Sequence, residues 1–547
     1  MTIIDADVLV IGGGVNGAGT FRDLALQGVR CLLVERTDFG AGTSAAPSRL
    51  IHGGIKYLET GEFGLVAQST LERNLLLQNA PHRVHPLPTL LPAFSWTRGI
   101  GAALRTLLGS TTAPRQRGAL LVKAGLAAYD FYGRRHRTMP RHRLLGRREA
   151  LRSVPALTPR VVALGTYHDA RIDAPERLVW ELVREGIEAG SEARNATELV
   201  SREAGSLAFE GPEGTFEVRP RLVINAAGPW IDRVNAALGA PSRLIGGTRG
   251  SHALLHHPGL VAMLDGRMIY FEADDGRICL VFDHLGRALV GSTDIRDDDP
   301  DGARCTDDEI DYFIESLRSL LPGLEFSRDQ VVHVYSGIRP LPASDGTAAG
   351  LISRDHSAPV MEPEGDRPFP IVSLVGGKWT TFRGFAGEVA DGVLARLGRA
   401  RRLSTEHEPI GGGRGYPSMH EREGWIARVA RETGLDGARI ATLLDRYGTT
   451  AHAIARHEVG YGPERLPALP GVSHAEIDWI ARHERVVHLA DIVMRRTTLA
   501  VEGRLTMPDL DAIAEVAATA LGWDDERRCE EVAALAARLR DVHRMRL

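Results

Sequence analysis

The chain has 547 residues, 43% of them hydrophobic and 25% charged, with a formal net charge of −4. That length builds more than one core, and the balance excludes both a disordered chain and one embedded in a membrane. Four scattered cysteines, Cys31, Cys279, Cys305 and Cys529, lack metal-ligand spacing, and no basic leader with an apolar core opens the chain, so a reducing, cytoplasmic setting without a metal site is expected.

Residues 7–11 predict a buried parallel strand, which Gly12-Gly-Gly14-Val-Asn16-Gly17 turns into a helix. In this dinucleotide-binding pattern Gly12 permits the tight turn, Gly14 lets backbone amides approach a pyrophosphate, and Gly17 lets the helix pack on the strand. The helix N-terminus presents the positive end of its dipole to the phosphates. A second strand, residues 31–34, ends in Glu35, a carboxylate placed to bind the hydroxyls of an unphosphorylated ribose. Arg36 follows, then Gly40-Ala-Gly42-Thr43-Ser44 and Ser48-Arg49-Leu50-Ile51-His52-Gly53-Gly54. Such a run of small and hydroxyl residues suits the length of FAD down to its ring, whereas an NAD domain more often moves straight into another β-α unit.

From Arg98 to Arg148 there are twelve Lys or Arg against the single acid Asp130. Apolar patches at Phe94, Trp96, Ile100, Leu104, Leu107, Leu108, Leu120, Val122, Leu126, Tyr129 and Phe131 alternate with Arg98, Arg105, Arg115, Arg117 and Lys123. Cationic attraction plus apolar insertion are the two ingredients of a peripheral contact with an anionic membrane on the inner face of the cell membrane. The competing reading is a solvated arginine-rich excursion. No run approaches the roughly eighteen apolar residues of a spanning helix, and no nucleic-acid module accompanies the charge.

Strand patterns resume at residues 221–225, ending in a turn at Ala227 and Gly228. Short apolar runs at 251–255, 268–271, 278–282 and 288–292 predict an antiparallel sheet supporting a substrate pocket. A further strand near residue 373 runs into Gly376-Gly377-Lys378-Trp379-Thr380 and a helix. After a glycine-rich linker at 408–415 the periodicity becomes helical from about residue 421. The division expected is a first FAD-binding part at 1–90, the basic insertion at 91–155, a second FAD-binding part at 156–240, the sheet at 241–335, a final FAD-binding part with substrate residues at 336–405, and a helical domain at 406–547.

Five motifs occur in one order: His52-Gly-Gly-Ile-Lys-Tyr57-Leu-Glu59, Asn225-Ala-Ala-Gly-Pro-Trp230, Gly291-Ser-Thr-Asp294, Ser336-Gly-Ile-Arg339-Pro-Leu341 and Gly376-Gly-Lys-Trp-Thr-Thr-Phe-Arg383. Together with the opening pattern they resemble the FAD-dependent glycerol-3-phosphate dehydrogenases and their oxidase relatives. The tail, His483-Glu-Arg-Val-Val-His-Leu-Ala-Asp491-Ile-Val-Met-Arg495-Arg496-Thr497, is similar to that family's C-terminal helical domain. The resemblance implies an α/β, glutathione-reductase-like FAD-binding domain of the D-amino-acid-oxidase type, an antiparallel substrate sheet and a helical C-terminal domain. It implies oxidation of glycerol 3-phosphate to dihydroxyacetone phosphate, with electrons passing to quinone, or to oxygen in the oxidase branch. A homodimer is compatible with it. The alternatives are the same flavin chemistry on another phosphorylated polyol, such as a tetritol phosphate, or a flavin-binding protein without turnover.

For the chemistry, His52 is the candidate proton acceptor, since imidazole titrates near pH ~6.5. The other reading is a loop histidine that only orients Gly53 and Gly54. Arg339, on an apolar segment, offers a rigid donor fork to the phosphate or hydroxyl end of a substrate, or else forms a structural ion pair. Lys378 either reaches substrate and the polar edge of the flavin or is a solvated helix-end lysine. Lys56 stands where the family pattern usually has arginine, and Tyr57 beside it is a pocket residue or a packing aromatic. Asp173-Ala-Pro175-Glu-Arg177 also departs from the family pattern. His252 reads as a strand histidine satisfied by its neighbours.

Overall fold

The computed structural model describes residues 2–58, 61–99, 101, 117–134, 139–203, 205–343 and 355–547. Its first layer is a six-stranded sheet ordered Val360–Met361, Ile371–Ser373, Val223–Asn225, Val8–Ile11, Cys31–Val34 and Glu192–Arg194. All neighbours are parallel except the antiparallel edge strand Val360–Met361. Covered on both faces, these strands are apolar without alternation, and every residue of Val8–Ile11 is buried. The helix Val15–Leu26 packs between Pro175–Glu188 and Phe382–Arg396, burying Phe21 and Leu24. A four-stranded sheet of Thr2–Ala6, Gly214–Pro220, Ser206–Gly211 and Glu198–Glu203 closes the opposite side.

The second layer is a ten-stranded sheet in which Val331–Pro342 pairs with Ile245–Leu255 along its whole length, from Ile245 opposite Pro342 to Leu255 opposite Val331. Val84–Ala93 and Ala163–Ile172 join this sheet too, so chain on both sides of the basic segment belongs to the substrate layer, not to the nucleotide layer. Pro86, Pro88 and Pro92 disguise the first of these strands, because proline inside a run argues against a central strand. The three share one parity, so their missing donors lie along one edge. The strand pairs over its full length with Ala163–Ile172, yet meets Met268–Glu272 only at Met268–Thr89 and Ile269–Leu90.

The described part of the basic segment comprises Phe94–Gly99, the helix Ala119–Tyr132, the strand Arg143–Gly146 on the edge of Ala163–Ile172, and the start of the helix Arg147–Ser153. Leu104, Arg105, Leu107, Leu108 and Arg115 lie outside the described residues, as does Ile100. Of the apolar patches, Val122, Leu126 and Tyr129 turn inward against the sheet, a consequence of their three- and four-residue spacing on one helix face. Trp96, Leu120 and Phe131 are exposed. No helix among the described residues is long and apolar enough to cross a membrane.

From residue 422 the chain is helical, with Arg422–Thr433, Gly437–Tyr447, Ala451–Tyr461, His474–His483, Met507–Leu521 and Asp525–Asp541 around two apolar clusters. Ser473 with Glu476 and Thr506 with Asp509 form capping boxes that start two of these helices. Buried ion pairs join this domain to the nucleotide layer. Arg496 clasps Asp38 through Nη1–Oδ2 at 2.6 Å and Nη2–Oδ1 at 2.8 Å, and Arg177 clasps Glu484 at 2.5 and 2.7 Å.

Candidate active site

A cavity of about 1240 Å³ runs from the ends of the parallel strands, past residues 41–52, to the strand carrying Arg339 and the wall of the C-terminal domain. The glycine turn opens it. Gly12 has φ +109°, and a methyl group on Gly17 would lie 2.0 Å from the Gly12 carbonyl oxygen, so the helix can start this close to the strand only with glycine. Glu35 sits where the second strand ends, and its carboxylate accepts from Gly13 N–H at 2.7 Å and Thr37 N–H at 2.9 Å. Burial raises its pKa, while these two amides counter the shift. Arg36 extends over the Trp230 ring at 5.3 Å and pairs with Asp301 at 3.1 Å.

Ser44 accepts the Val15 N–H at 2.9 Å and its carbonyl accepts from Trp379 Nε1 at 3.3 Å, tying the hydroxyl-rich loop to the first helix and to the segment after Lys378. Thr43 donates to the Ile338 carbonyl at 2.5 Å. Asn16, Leu50, Ala227, Gly228, Gly377 and Thr380 line the same cavity. Asn16 Oδ1 is a buried acceptor with no partner among the described residues. An extended FAD fits these features: a carboxylate at the ribose end, a helix N-terminus behind a glycine turn for the pyrophosphate, and an acceptor waiting for a hydroxyl beyond it.

His52 lines the same cavity, and its backbone N–H donates to Thr380 Oγ1 at 3.2 Å. Gly53 and Gly54 stand behind the wall. The Gly53 N–H donates to Tyr129 Oη at 2.8 Å and to Asp169 Oδ1 at 3.2 Å, and Arg73 reaches both acceptors at 2.9 Å. A methyl group at Gly54, φ +74°, would stand 2.3 Å from the Tyr57 ring, which explains the glycine. Lys378 is only 8% exposed, donates to Ser69 Oγ at 3.0 Å and lies 3.8 Å from the centre of the Tyr57 ring, so it is not a solvated helix-end lysine. Arg339 donates to Asp294 at 3.1 Å, Ser292 Oγ at 3.2 Å and the Thr293 carbonyl at 3.1 Å. The ion pair is real, and it holds the guanidinium in place at the cavity wall.

The structure also separates residues that lie together in sequence. Ile55–Leu58 is a 3₁₀ turn, in which successive side chains diverge by about 120°. Tyr57 therefore lines the main cavity, while Lys56 lines a neighbouring one of about 590 Å³ together with Leu91, Phe94 and Leu121. Asp173 is occupied outside the main cavity, with His85 at 3.0 Å and Arg171 at 3.7 Å.

His252 is a buried residue of the strand Ile245–Leu255 that also lines the cavity. Its Nε2 is 2.8 Å from Ser48 Oγ and its ring stacks on Tyr335 with centroids 4.9 Å apart, at the cavity wall beside Arg339. Burial, then Arg339 and Arg49, push its pKa well below the usual value, so the ring is neutral. Sequence reasoning overlooked Ser69, Tyr335 and the Arg73–Tyr129–Asp169 group. Only Tyr335 had a signal, its place beside the Ser336 motif.

Residues 7–377 match the model of the FAD dependent oxidoreductase family, and residues 403–528 match the C-terminal domain of alpha-glycerophosphate oxidase. The chain is 33% identical to a glycerol-3-phosphate dehydrogenase of Synechocystis sp., over 95% of this chain and 94% of that protein. It is 30% identical to one from Mycobacterium leprae, over 97% and 88%. A solved glycerol-3-phosphate dehydrogenase from Bacillus halodurans, complexed with FAD, has the same fold at 23% identity, with a TM-score of 0.75 over 98% of this chain and 95% of that one. The cofactor is FAD, and the chain belongs to the FAD-dependent glycerol-3-phosphate dehydrogenase and oxidase family.

Proposed function

We propose that the protein oxidises the secondary hydroxyl of sn-glycerol 3-phosphate to give dihydroxyacetone phosphate and passes the electrons to a quinone. The observation that carries this reading is that Arg339, His252, His52 and Lys378 line the same cavity as the glycine turn. Bound FAD supplies the two-electron sink for the hydride. Arg339, held by Asp294, Ser292 and the Thr293 carbonyl, presents a fixed cationic fork to the phosphate at the cavity wall. Lys378, desolvated against Tyr57, stabilises negative charge on the substrate oxygen as the proton leaves. His52 receives that proton. His252, neutral and tied to Ser48, orients the hydroxyl-bearing carbon.

The neighbouring cavity, whose wall joins apolar Ile55, Leu58, Phe63, Leu91 and Phe94 to charged residues, supports the quinone assignment. It lies on the other side of the 55–58 turn, and exposed Phe63, Phe94, Trp96 and Leu120 surround it or its helix. Membrane attachment at these residues would bring a lipid-soluble acceptor to the flavin side of the molecule. Anaerobic mixing tests the oxidation step: glycerol 3-phosphate bleaches the oxidised flavin spectrum and glycerol does not. Equal bleaching by both would remove the cationic pocket, and no bleaching by any polyol phosphate would leave a flavin-binding protein. Rapid reoxidation by oxygen, unaccelerated by a soluble quinone, would place the chain in the oxidase branch.

A further inference from the structure

We propose that the C-terminal domain carries a second anion site, for a small phosphate or phosphate monoester, at the wall formed by Arg495, Arg538 and His543. The site itself does not depend on the substrate assignment, while the phosphate count in its test rests on that reading for the Arg339 site. Arg495 lies in the last part of the turn Ile492–Arg496, Arg538 comes from the helix Asp525–Asp541, and His543 follows that helix; all three line the main cavity.

Arg495 breaks the pattern of the other buried arginines. Arg22, Arg49, Arg73, Arg83, Arg177 and Arg496 each meet a carboxylate. Arg367 saturates two nitrogens with backbone carbonyls, and Arg287 does so with the carbonyls of Glu502 and Gly503. Arg495 is 8% exposed, yet among the described residues it donates only to the adjacent Met494 carbonyl at 3.1 Å, and its Nε has no partner. Arg538 makes no ion pair among the described residues. Arg538 is exposed as a residue, but partial desolvation at the cavity wall, followed by repulsion from Arg495, brings its pKa down to about 10.

The acid in this wall does not resolve the repulsion. Asp491 already accepts the Val487 and His488 N–H groups at 2.9 Å, and burial, with Asp38 nearby, raises its pKa to about 7. Glu531 is held by His488 at 2.8 Å and the Leu489 N–H at 2.9 Å. An exogenous anion supplies the missing charge. His543 narrows its chemistry: Nδ1 donates to the Val334 carbonyl at 2.8 Å, which leaves Nε2 a buried acceptor without a partner, and burial keeps the ring neutral with a pKa of about 4. Two donor forks and one acceptor match a monohydrogen phosphate, which accepts from guanidinium and donates its own proton. Sulfate has no such proton.

The experiment is equilibrium dialysis of FAD-loaded protein with radiolabelled inorganic phosphate, repeated with sulfate and with glycerol 2-phosphate as competitors. We expect two phosphates per chain in the wild type and in Arg538→Lys, one in Arg538→Gln and one in Arg339→Gln, with affinity at the lost site weakened about tenfold or more. Competition by glycerol 2-phosphate but not sulfate at the Arg538 site would show that monoesters enter it; competition by neither would show a site for free phosphate. In phosphate-free buffer Arg538→Gln should leave the melting temperature unchanged or raise it, because it relieves repulsion. Undiminished phosphate binding in Arg538→Gln would overturn the proposal, as would a lowered melting temperature, which would mean that the guanidinium is already satisfied. Flavin bleaching by glycerol 3-phosphate is read separately, so failure of this site and failure of the substrate reading are distinguishable.

Discussion

Replacing Arg496 by methionine tests the junction between the C-terminal domain and the FAD-binding layer. Arg496 is fully buried, holds both oxygens of Asp38, donates Nε to the Glu484 carbonyl at 3.0 Å and lies over the Trp180 ring at 5.0 Å. Methionine keeps most of the apolar stem and removes all three polar contacts. Asp38 is then left with the Asn195 amide at 2.9 Å. Breaking a buried pair by removing one partner costs about 3–5 kcal/mol. A second route to the number agrees: neutralising a carboxylate of ordinary pKa near 3.9 costs about 1.4 kcal/mol per pH unit, hence about 4 kcal/mol at pH 7, which caps the penalty of a stranded charge. The cap falls to about 1.5 kcal/mol at pH 5. The sign follows from proton uptake: without Arg496 the folded state binds a proton more tightly at Asp38 than the unfolded state does, so the variant loses stability as pH rises. Urea unfolding of the FAD-loaded protein, followed by tryptophan fluorescence at pH 5 and 7, measures both numbers. Asp38→Asn combined with Arg496→Met should recover most of the loss at pH 7 and remove its pH dependence. A loss below about 1 kcal/mol at pH 7, or one that does not shrink at pH 5, would refute the reasoning.

His52→Ala should slow flavin reduction by glycerol 3-phosphate about 10²-fold or more in anaerobic stopped flow, with FAD content nearly unchanged; loss of flavin with a normal rate in the remaining holoenzyme would make His52 structural. Lys56→Arg should leave the substrate KM within about twofold, because Lys56 lines the neighbouring cavity, whereas a change beyond about tenfold would place it at the phosphate. Glu476 is buried between Arg439 and Arg446, and although burial raises its pKa, these two guanidiniums bring it below the usual value. Its contribution is thus present above about pH 4.3 and lost as pH falls through the depressed folded value, so Glu476→Gln should be less stable at pH 7 but flatter in an acid melting series. Liposome co-sedimentation should show binding to anionic vesicles that weakens with salt, and Trp96→Ser with Phe131→Ser should reduce it further; no binding to either anionic or neutral lipid at low salt would count against a membrane acceptor.

The nucleotide half was legible because its signals are local. A strand buried on both faces must be apolar throughout, a helix can start against it only through glycine, and an acid at the end of the next strand completes the pattern, so residues 8–35 carry their fold in consecutive chemistry. The helical tail was legible through its periodicity. Ordered motifs likewise brought His52, Arg339 and Lys378 to notice before any contact was known.

Tertiary structure decided what those residues can do. Whether Lys378 is solvated depends on Ser69 and Tyr57, residues more than three hundred positions away in the chain. His252 is drawn to the cavity wall by Ser48 and the Tyr335 ring, neither of which marks a histidine in sequence. Lys56 and Tyr57 are neighbours in the chain, yet a 3₁₀ turn sends them into different cavities. Arg495 and Arg496 look alike as a pair, but Arg496 finds Asp38 across a domain junction, while among the described residues Arg495 finds only its neighbour's carbonyl. Periodicity and glycine spacing act over a few residues and can be read along the chain; burial, ion pairing and proton affinity depend on groups that only folding brings together.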